Sequence, residues 1–231
     1  MATVSMSPVA RRAWHVAGSI VMSAVILFGA AGRLAWTWAW IYVGLSVGTA
    51  LVSAAVLLPR HRDLIVERET AFAYARAWDR ILAGAATVLA SRLGLLVAGL
   101  DARLSWTSAF PPGARLAGLA GLVAGSALYL WAMATNPFFS TVVRIQKERG
   151  HRVVDTGPYR AVRHPGYLGW ILAELAVPPI LGSTWALVPA ALGCALWIVR
   201  TALEDLTLRR ELQGYQAYTE RVRFRLLPGI W

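Results

Sequence analysis

Residues 165–203 read PGYLGWILAELAVPPILGSTWALVPAALGCALWIVRTAL, two apolar runs separated only by Gly182-Ser183-Thr184. Each run approaches the roughly 20 residues that a helix needs to cross a bilayer, and so short a connection makes sequence neighbours spatial neighbours. The stretch therefore predicts an antiparallel helical hairpin, Pro165 to Leu181 and Trp185 to Leu203, whose two open ends return to one side of a membrane. Working outward, further apolar runs lie at Trp14 to Ala31, Trp36 to Leu58, Ile81 to Leu100 and Ala114 to Thr135. The expected fold is all-α: a polytopic membrane helix bundle of about six transmembrane helices, with a C-terminal helical hairpin and an amphipathic cytoplasmic helix after it. Residues 1–231 read as one membrane domain, in which 1–135 supply the N-terminal spans and 136–231 carry the chemistry.

Composition agrees with that class: 57% of the 231 residues are hydrophobic, 15% are charged, and the mean hydropathy is +0.52. The net charge of +11 is unevenly placed along the chain. Arg11 and Arg12, then Arg60, Arg62, Arg68, Arg76 and Arg80, then the cations from Arg144 to Arg163, and finally Arg209 to Arg225 fall on alternate loops. The opposite loops hold Arg33, Arg103 and Arg115. Short loops rich in Arg and Lys stay cytoplasmic, which sets the amino terminus inside and makes nucleic-acid binding unnecessary as an explanation of the charge. Arg11-Arg12, the apolar run and Gly29-Ala30-Ala31 mimic a secretory signal, but the spans that follow favour an uncleaved first helix. Lys147 is the sole lysine, a bias expected of GC-rich bacterial coding, so a bacterial cytoplasmic membrane is the expected location.

One cysteine, Cys194, excludes an intramolecular disulfide and a thiolate zinc cluster. His15, His61, His151 and His164 lack ligand spacing and no HExxH occurs, so no metal site is expected. Gly44-x-x-x-Gly48 and Gly121-x-x-x-Gly125 suit close packing of helices, and Trp36, Trp38 and Trp40 suit interfacial anchors. Arg92 and Glu174 are charges inside apolar runs, where insertion costs about 2.5–3.5 kcal/mol, so both should face the bundle interior. Glu174 follows Tyr167 by seven residues and shares its helix face two turns deeper.

Chemistry concentrates at the hairpin's open end. HRVVDTGPYRAVRHPGYLGW, residues 151–170, places a basic and aromatic cluster between spans, with a turn at Gly157-Pro158 and Pro165 as the first residue of a helix. His164 stands at the helix mouth, where backbone donors are unpaired. Gly166 and Gly169 permit close approach, and Tyr159 and Tyr167 supply aromatic faces for a polar or cationic head. The hairpin brings Arg200 and Glu204, four apart on one helical face, near the same point. Past them Leu208, Leu212, Tyr215 and Val222 recur on one side of a charged segment, which reads as a helix lying on the membrane or lidding the site.

The series HRVV, GPY, RHPGYLG, RTALED and GYQAY, within residues 136–231, resembles the isoprenylcysteine carboxyl methyltransferase family and, more distantly, the phospholipid N-methyltransferases. The resemblance implies a membrane methyltransferase that uses S-adenosyl-L-methionine without a Rossmann fold, consistent with the lack of a GxGxxG after a strand. It assigns His151, Arg152, Val153, Val154, Tyr159, His164, Pro165, Gly166 and Tyr167 to the cofactor, and Arg200 and Glu204 to the catalytic, substrate-facing side. An amide expected seven residues before His151 is replaced by Arg144, with Gln146 two positions on, and the acidic pair is Glu204-Asp205.

The implied acceptor is an isoprenoid-like or lipidic small molecule, entering sideways from membrane lipids to a site that faces the cytoplasm. Both a carboxylate, which Arg200 would orient, and an amine, for which Glu204 would take a proton, remain open as nucleophiles. Two other readings remain: an NADPH-dependent membrane reductase of the sterol reductase type, and a non-catalytic scaffold or transporter.

Overall fold

In the computed structural model, which describes residues 6–59 and 61–231, the chain is built from helices and no strand occurs among the described residues; Arg60 lies outside them. The helices are α1 (Pro8–Ala31), α2 (Thr37–Leu57), α3 (Arg62–Thr70), α4 (Ala77–Thr87), α5 (Gly94–Leu104), α6 (Pro112–Thr135), α7 (Pro165–Leu181), α8 (Leu187–Glu211) and α9 (Tyr215–Arg221). A π-helical segment, Val88–Leu93, joins α4 to α5 in one rod of 28 residues. Five helices are long and apolar enough to cross a membrane: α1, α2, the α4–α5 rod, α6 and α8.

The sixth expected span, α7, is an apolar helix of 17 residues, about 25 Å at 1.5 Å per residue. Its last turn contains Pro178-Pro179, whose carbonyls accept from Ser183 N and Gly182 N as Gly182 turns left-handed (φ 74°). The resulting turn is pinned by Asp101 at the end of α5, which accepts from Ser183 Oγ and, at 2.7 Å, from both Thr107 N and Thr107 Oγ1.

Three spans are clearly longer than their apolar runs, the first of them α1, which begins at Pro8 rather than Trp14. The third span of the chain was expected from Ile81 to Leu100 and occupies Ala77–Leu104, while α8 continues past Leu203 to Glu211. The extra turns are polar, and in α8 they stay helical because Asp205 collects ion pairs there.

Glycines set the closest helix contact, α6 against α7. A Cβ at Gly125 would stand 2.6 Å from Gly169 O and 2.7 Å from Ala173 N, while one at Gly121 would meet Ala176 Cβ at 3.3 Å. Gly193 likewise lets α8 touch Ala90 N at the start of the π segment. The other small-residue pair does not pack within the chain: a Cβ at Gly44 or Gly48 would meet nothing within 4 Å. Nor is Trp36 an interfacial anchor; it is buried with Leu27, Phe28, Ala39, Leu95 and Ala98, and only Trp40 of the three tryptophans is exposed.

Between α6 and α7, residues 136–164 run without regular structure apart from the 3₁₀ turns Lys147–Arg149 and Gly157–Arg160. This loop is strapped to the chain's end, since Arg163 N and His164 N donate to Phe224 O and Arg225 O, both at 2.9 Å. Of the two positions open to the segment after α8, the structure shows the lid. Leu212, Tyr215 and Tyr218 are buried against Ile145, Val153, Leu208 and Val222.

Candidate active site

A cavity of about 1120 Å³ occupies the end of the bundle where the 136–164 loop, α7, α8 and α9 converge. Its wall contains His151, Arg152, Val153, Val154, Tyr159, His164, Gly166, Tyr167, Arg200 and Glu204, residues drawn from three separate stretches of sequence. Of the residues that the resemblance assigned to cofactor and catalysis, Pro165 alone does not line it; that proline is fully buried as the first residue of α7. Gly166 brings the helix mouth against Phe139, since a Cβ there would lie 2.6 Å from the ring's Cε2.

Arg200 is the organising cation. Its Nε donates to Asp79 Oδ1 at 2.6 Å, one Nη donates to the Tyr167 hydroxyl, and the other donates to Thr141 O at 2.9 Å. Tyr167 in turn donates to Glu204 Oε2. Arg200 and Glu204 therefore meet through a phenol rather than as the i,i+4 ion pair their spacing suggests. Asp79 Oδ2 also accepts from Val143 N at 2.7 Å, so one buried carboxylate joins α4, the loop and α8. Three of the five guanidinium protons of Arg200 are committed, which leaves one on each Nη.

The neighbouring residue, Asp205, is a second hub. It is fully buried and accepts from Arg163 Nε (2.7 Å), Arg225 Nε (2.9 Å) and the Tyr215 hydroxyl (3.0 Å), with Arg209 Nε at 3.2 Å. His164 Nε2 lies 3.3 Å from the same carboxylate, so the imidazole that heads α7 is held in place by α8. Arg163 also donates to Val222 O and Arg223 O, and Tyr218 donates to Tyr159 O at 2.7 Å. Burial beside Asp205 keeps the Tyr215 phenol protonated far above its ordinary range, so it serves as a donor. Tyr159 is likewise pushed up by burial.

His151 stacks on Phe138 with ring centroids 4.6 Å apart, and its Nδ1 faces Gln146 N at 3.2 Å. Burial, and then the cations of Arg149 and Arg144, lower its pKa from 6.5 to about 4, so at neutral pH it is an uncharged acceptor. Gln146 is wholly buried and spends its amide on Phe138 O (2.7 Å) and Arg149. Arg144 is paired with Glu67 at 2.6 Å and Glu148 at 2.7 Å, though it too borders the cavity. The structure thus gives Gln146 a scaffold role and fastens the loop to α3 through Arg144.

Sequence reasoning missed Asp79, and it gave Asp205 no role beyond closing a motif. One signal was present for Asp79: like Glu204, it is an acid at the margin of an apolar run in a chain with only 12 acidic residues.

Residues 116–210, from α6 through α8, match the model of the isoprenylcysteine carboxyl methyltransferase (ICMT) family. Over 103 residues the chain is 31% identical to a lamin-B receptor of Drosophila melanogaster, covering 42% of this chain and 14% of that protein. It is 29% identical over 110 residues to probable protein-S-isoprenylcysteine O-methyltransferases of Oryza sativa subsp. indica and subsp. japonica, covering 46% of this chain and 56% of each. The chain thus spans about half the length of the rice relatives that it matches.

Proposed function

We propose that this chain, whose residues 116–210 match the model of the isoprenylcysteine carboxyl methyltransferase family, transfers methyl from S-adenosyl-L-methionine to a lipidic acceptor at the cavity above. The observation that carries the reading is the joining of two kinds of wall in one cavity. Its polar end holds His151, Tyr159, His164, Tyr167, Arg200 and Glu204, while its other end runs along α1 and α2 through Val21 and Leu51. Those two side chains are 61% and 66% exposed, on a surface that would face lipid. A water-soluble cofactor and an apolar acceptor would thus reach one space from different directions.

The residues present fit the cofactor. Glu204 offers a carboxylate to a cationic centre, Tyr159 and Tyr167 present aromatic faces, and Arg152 and neutral His151 supply polar partners at the loop end. When bound, S-adenosyl-L-methionine supplies an electrophilic methyl, which an acceptor's lone pair takes in line as the bonding electrons return to sulfur. The protein's part is placement and the exclusion of water. The free protons of Arg200 orient an acceptor carboxylate, for which no base is needed, and the buried lid of Leu212, Tyr215 and Tyr218 excludes solvent. Two committed groups, Asp79 and Thr141 O, keep Arg200 from following the acceptor away. The arginine-rich loops surround this end of the bundle, so the site faces the cytoplasm.

Calorimetric titration of lipid-reconstituted protein tests the cofactor. S-adenosyl-L-methionine and S-adenosylhomocysteine should bind saturably, NADPH should not, and Glu204→Gln should weaken the sulfonium ligand more than its neutral product. NADPH binding alone would move the assignment to a reductase, and binding of neither ligand would leave a scaffold or transporter.

A further inference from the structure

A second cavity, of about 430 Å³, lies deeper in the bundle and is bordered by the middle turns of α1, α2, the π segment, α6 and α7. Its lining is polar for that depth. Arg92 donates to Ser23 Oγ at 2.6 Å and Ser19 Oγ at 2.7 Å, Glu174 accepts from Ser91 Oγ at 2.6 Å, and Ser46 and Ser126 border the same space. Arg92 and Glu174 form no direct ion pair with one another: Arg92 is held by the two serine hydroxyls and by Ser19 O at 3.3 Å, and Glu174 by Ser91 Oγ. Ser91 and Arg92 both belong to the π-helical segment, a departure from regular helix that commonly marks a functional position. Ionisable and hydroxyl groups gathered at membrane depth are costly unless they meet water or a polar ligand, and the site is large enough for either.

The two cavities adjoin. Ser53, Thr87, Arg92, Tyr129 and Trp170 border both, so the deep space continues the one beside Tyr167 and Glu204. Glu174 lies seven residues past Tyr167 on α7, about 10 Å deeper at 1.5 Å per residue. Beyond Tyr42, Val43 and Val177, which border the deep cavity, the packed cluster of Leu27, Phe28, Trp36, Leu95 and Leu181 closes the way to the opposite face. A chain lying along the joint cavity from the polar end would therefore terminate among these groups and could not pass through.

We infer that the acceptor is an amphiphile whose far end carries a hydrogen-bonding oxygen, a hydroxyl or carbonyl, seated between Arg92, Glu174 and the surrounding serines. This inference rests on the methyltransferase reading for the identity of the reacting end; the deep pocket itself stands on its own geometry. A plain hydrocarbon tail would displace water from Arg92 and Glu174 without replacing its hydrogen bonds, whereas an oxygenated tail replaces them.

Cysteine labelling in proteoliposomes tests it. In a Cys194→Ala background, Ser46→Cys and Ser126→Cys place a thiol in the pocket, and Val25→Cys places one on the exposed outer side of α1. A charged methanethiosulfonate should modify the two pocket thiols much faster than Val25→Cys. A medium-chain α,ω-diol should protect them at about tenfold lower concentration than the mono-alcohol of equal length, as one extra hydrogen bond predicts. Glu174→Leu should remove that preference. Pocket thiols no more reactive than the control, or equal protection by diol and mono-alcohol, would overturn the inference. S-adenosyl-L-methionine binding is measured on the same samples. If the cofactor binds and the diol shows no preference, the methyltransferase reading stands and this one falls. If the diol protects and no cofactor binds, the pocket stands as a site and its assignment to a methyl acceptor falls.

Discussion

The guanidinium of Arg200 and the carboxylate of Asp79 face each other at 2.6 Å across 121 positions of sequence, both almost fully buried. Removing one partner of a buried ion pair leaves the other charged and unsolvated, at a cost of about 3–5 kcal/mol. Asp79→Ala should therefore lower the thermal midpoint of the purified protein by many degrees. Asp79→Asn, which can still accept at Oδ1, should lose less stability yet let Arg200 swing, so methyl transfer should fall more than cofactor affinity. A melting temperature unchanged in Asp79→Ala would show that the pair does not hold the site together.

Tyr167 stands between Arg200 and Glu204 and, among the described residues, is the only side chain that hydrogen-bonds to both. Tyr167→Phe keeps the ring under the Arg200 guanidinium, 5.3 Å from its centroid, and deletes the bridge alone. Misplacement of an orienting group by about 1 Å can lower a rate by about a hundredfold. The turnover number should fall by that order while the dissociation constant of S-adenosyl-L-methionine, measured calorimetrically, changes little. A matching loss in both quantities would instead give the Tyr167 hydroxyl, beyond its ring, a direct part in holding the cofactor.

The legible part of this fold was what periodicity and punctuation control. Gly182-Ser183-Thr184 between two apolar runs announced the hairpin, and Pro165 after His164 announced where α7 begins, because both are local chemistry. The clustering of His151, Tyr159, His164, Tyr167, Arg200 and Glu204 could be read because the hairpin folds its own ends together. The partner of Asp79 and the true length of α8 could not be read, since both depend on residues distant in sequence: Arg200 for the first, Arg163 and Arg225 for the second. The interface role given to Trp36 failed for a related reason. A tryptophan at a span end looks the same whether it meets lipid or, as here, a buried cluster.

His151 gives the site a pH dependence with a definite sign. Its folded pKa is lowered from 6.5 to about 4, so between those values the unfolded chain takes up a proton that the folded one refuses. The stability contributed by neutral His151 is complete above about 6.5 and is lost progressively as pH falls toward 4. Thermal melts across that window should show a decline that is smaller in His151→Asn. An equal decline in the variant would assign it to other groups.

Gly125 and Gly169 bring the backbones of α6 and α7 into contact, with either added Cβ 2.6 Å from the opposite carbonyl oxygen. Backbone cannot step aside as a side-chain tip can, so Gly125→Ala should part the helices at a cost of about 1–3 kcal/mol. Gly44→Ala, inside α2 with open space around it, is the control and should leave the melting temperature unchanged or slightly raised. Equal tolerance of both would mean that α6 and α7 are not packed this closely.

Asp205 latches the chain's end to the site. Its carboxylate holds Arg163 before α7, Arg209 within α8 and Arg225 after α9, and the Arg225 guanidinium lies 4.8 Å from the Trp231 ring centroid. Asp205→Asn removes the charge from a position surrounded by three guanidinium groups, so their mutual repulsion acts unopposed in a buried place. Arg209, at 32% side-chain exposure, can turn to solvent without moving α8; of the two that hold other segments, Arg225, at 23%, should let go before Arg163, at 2%, so the tail should detach first. Hydrogen exchange at residues 222–231 should then accelerate in the variant while α6 and α7 remain protected, and brief proteolysis should clip the tail. Uniform acceleration over the whole chain would show instead that Asp205 supports the bundle as a unit; unchanged exchange at the tail would show that the strap is held by its backbone bonds to Arg163 and His164 alone.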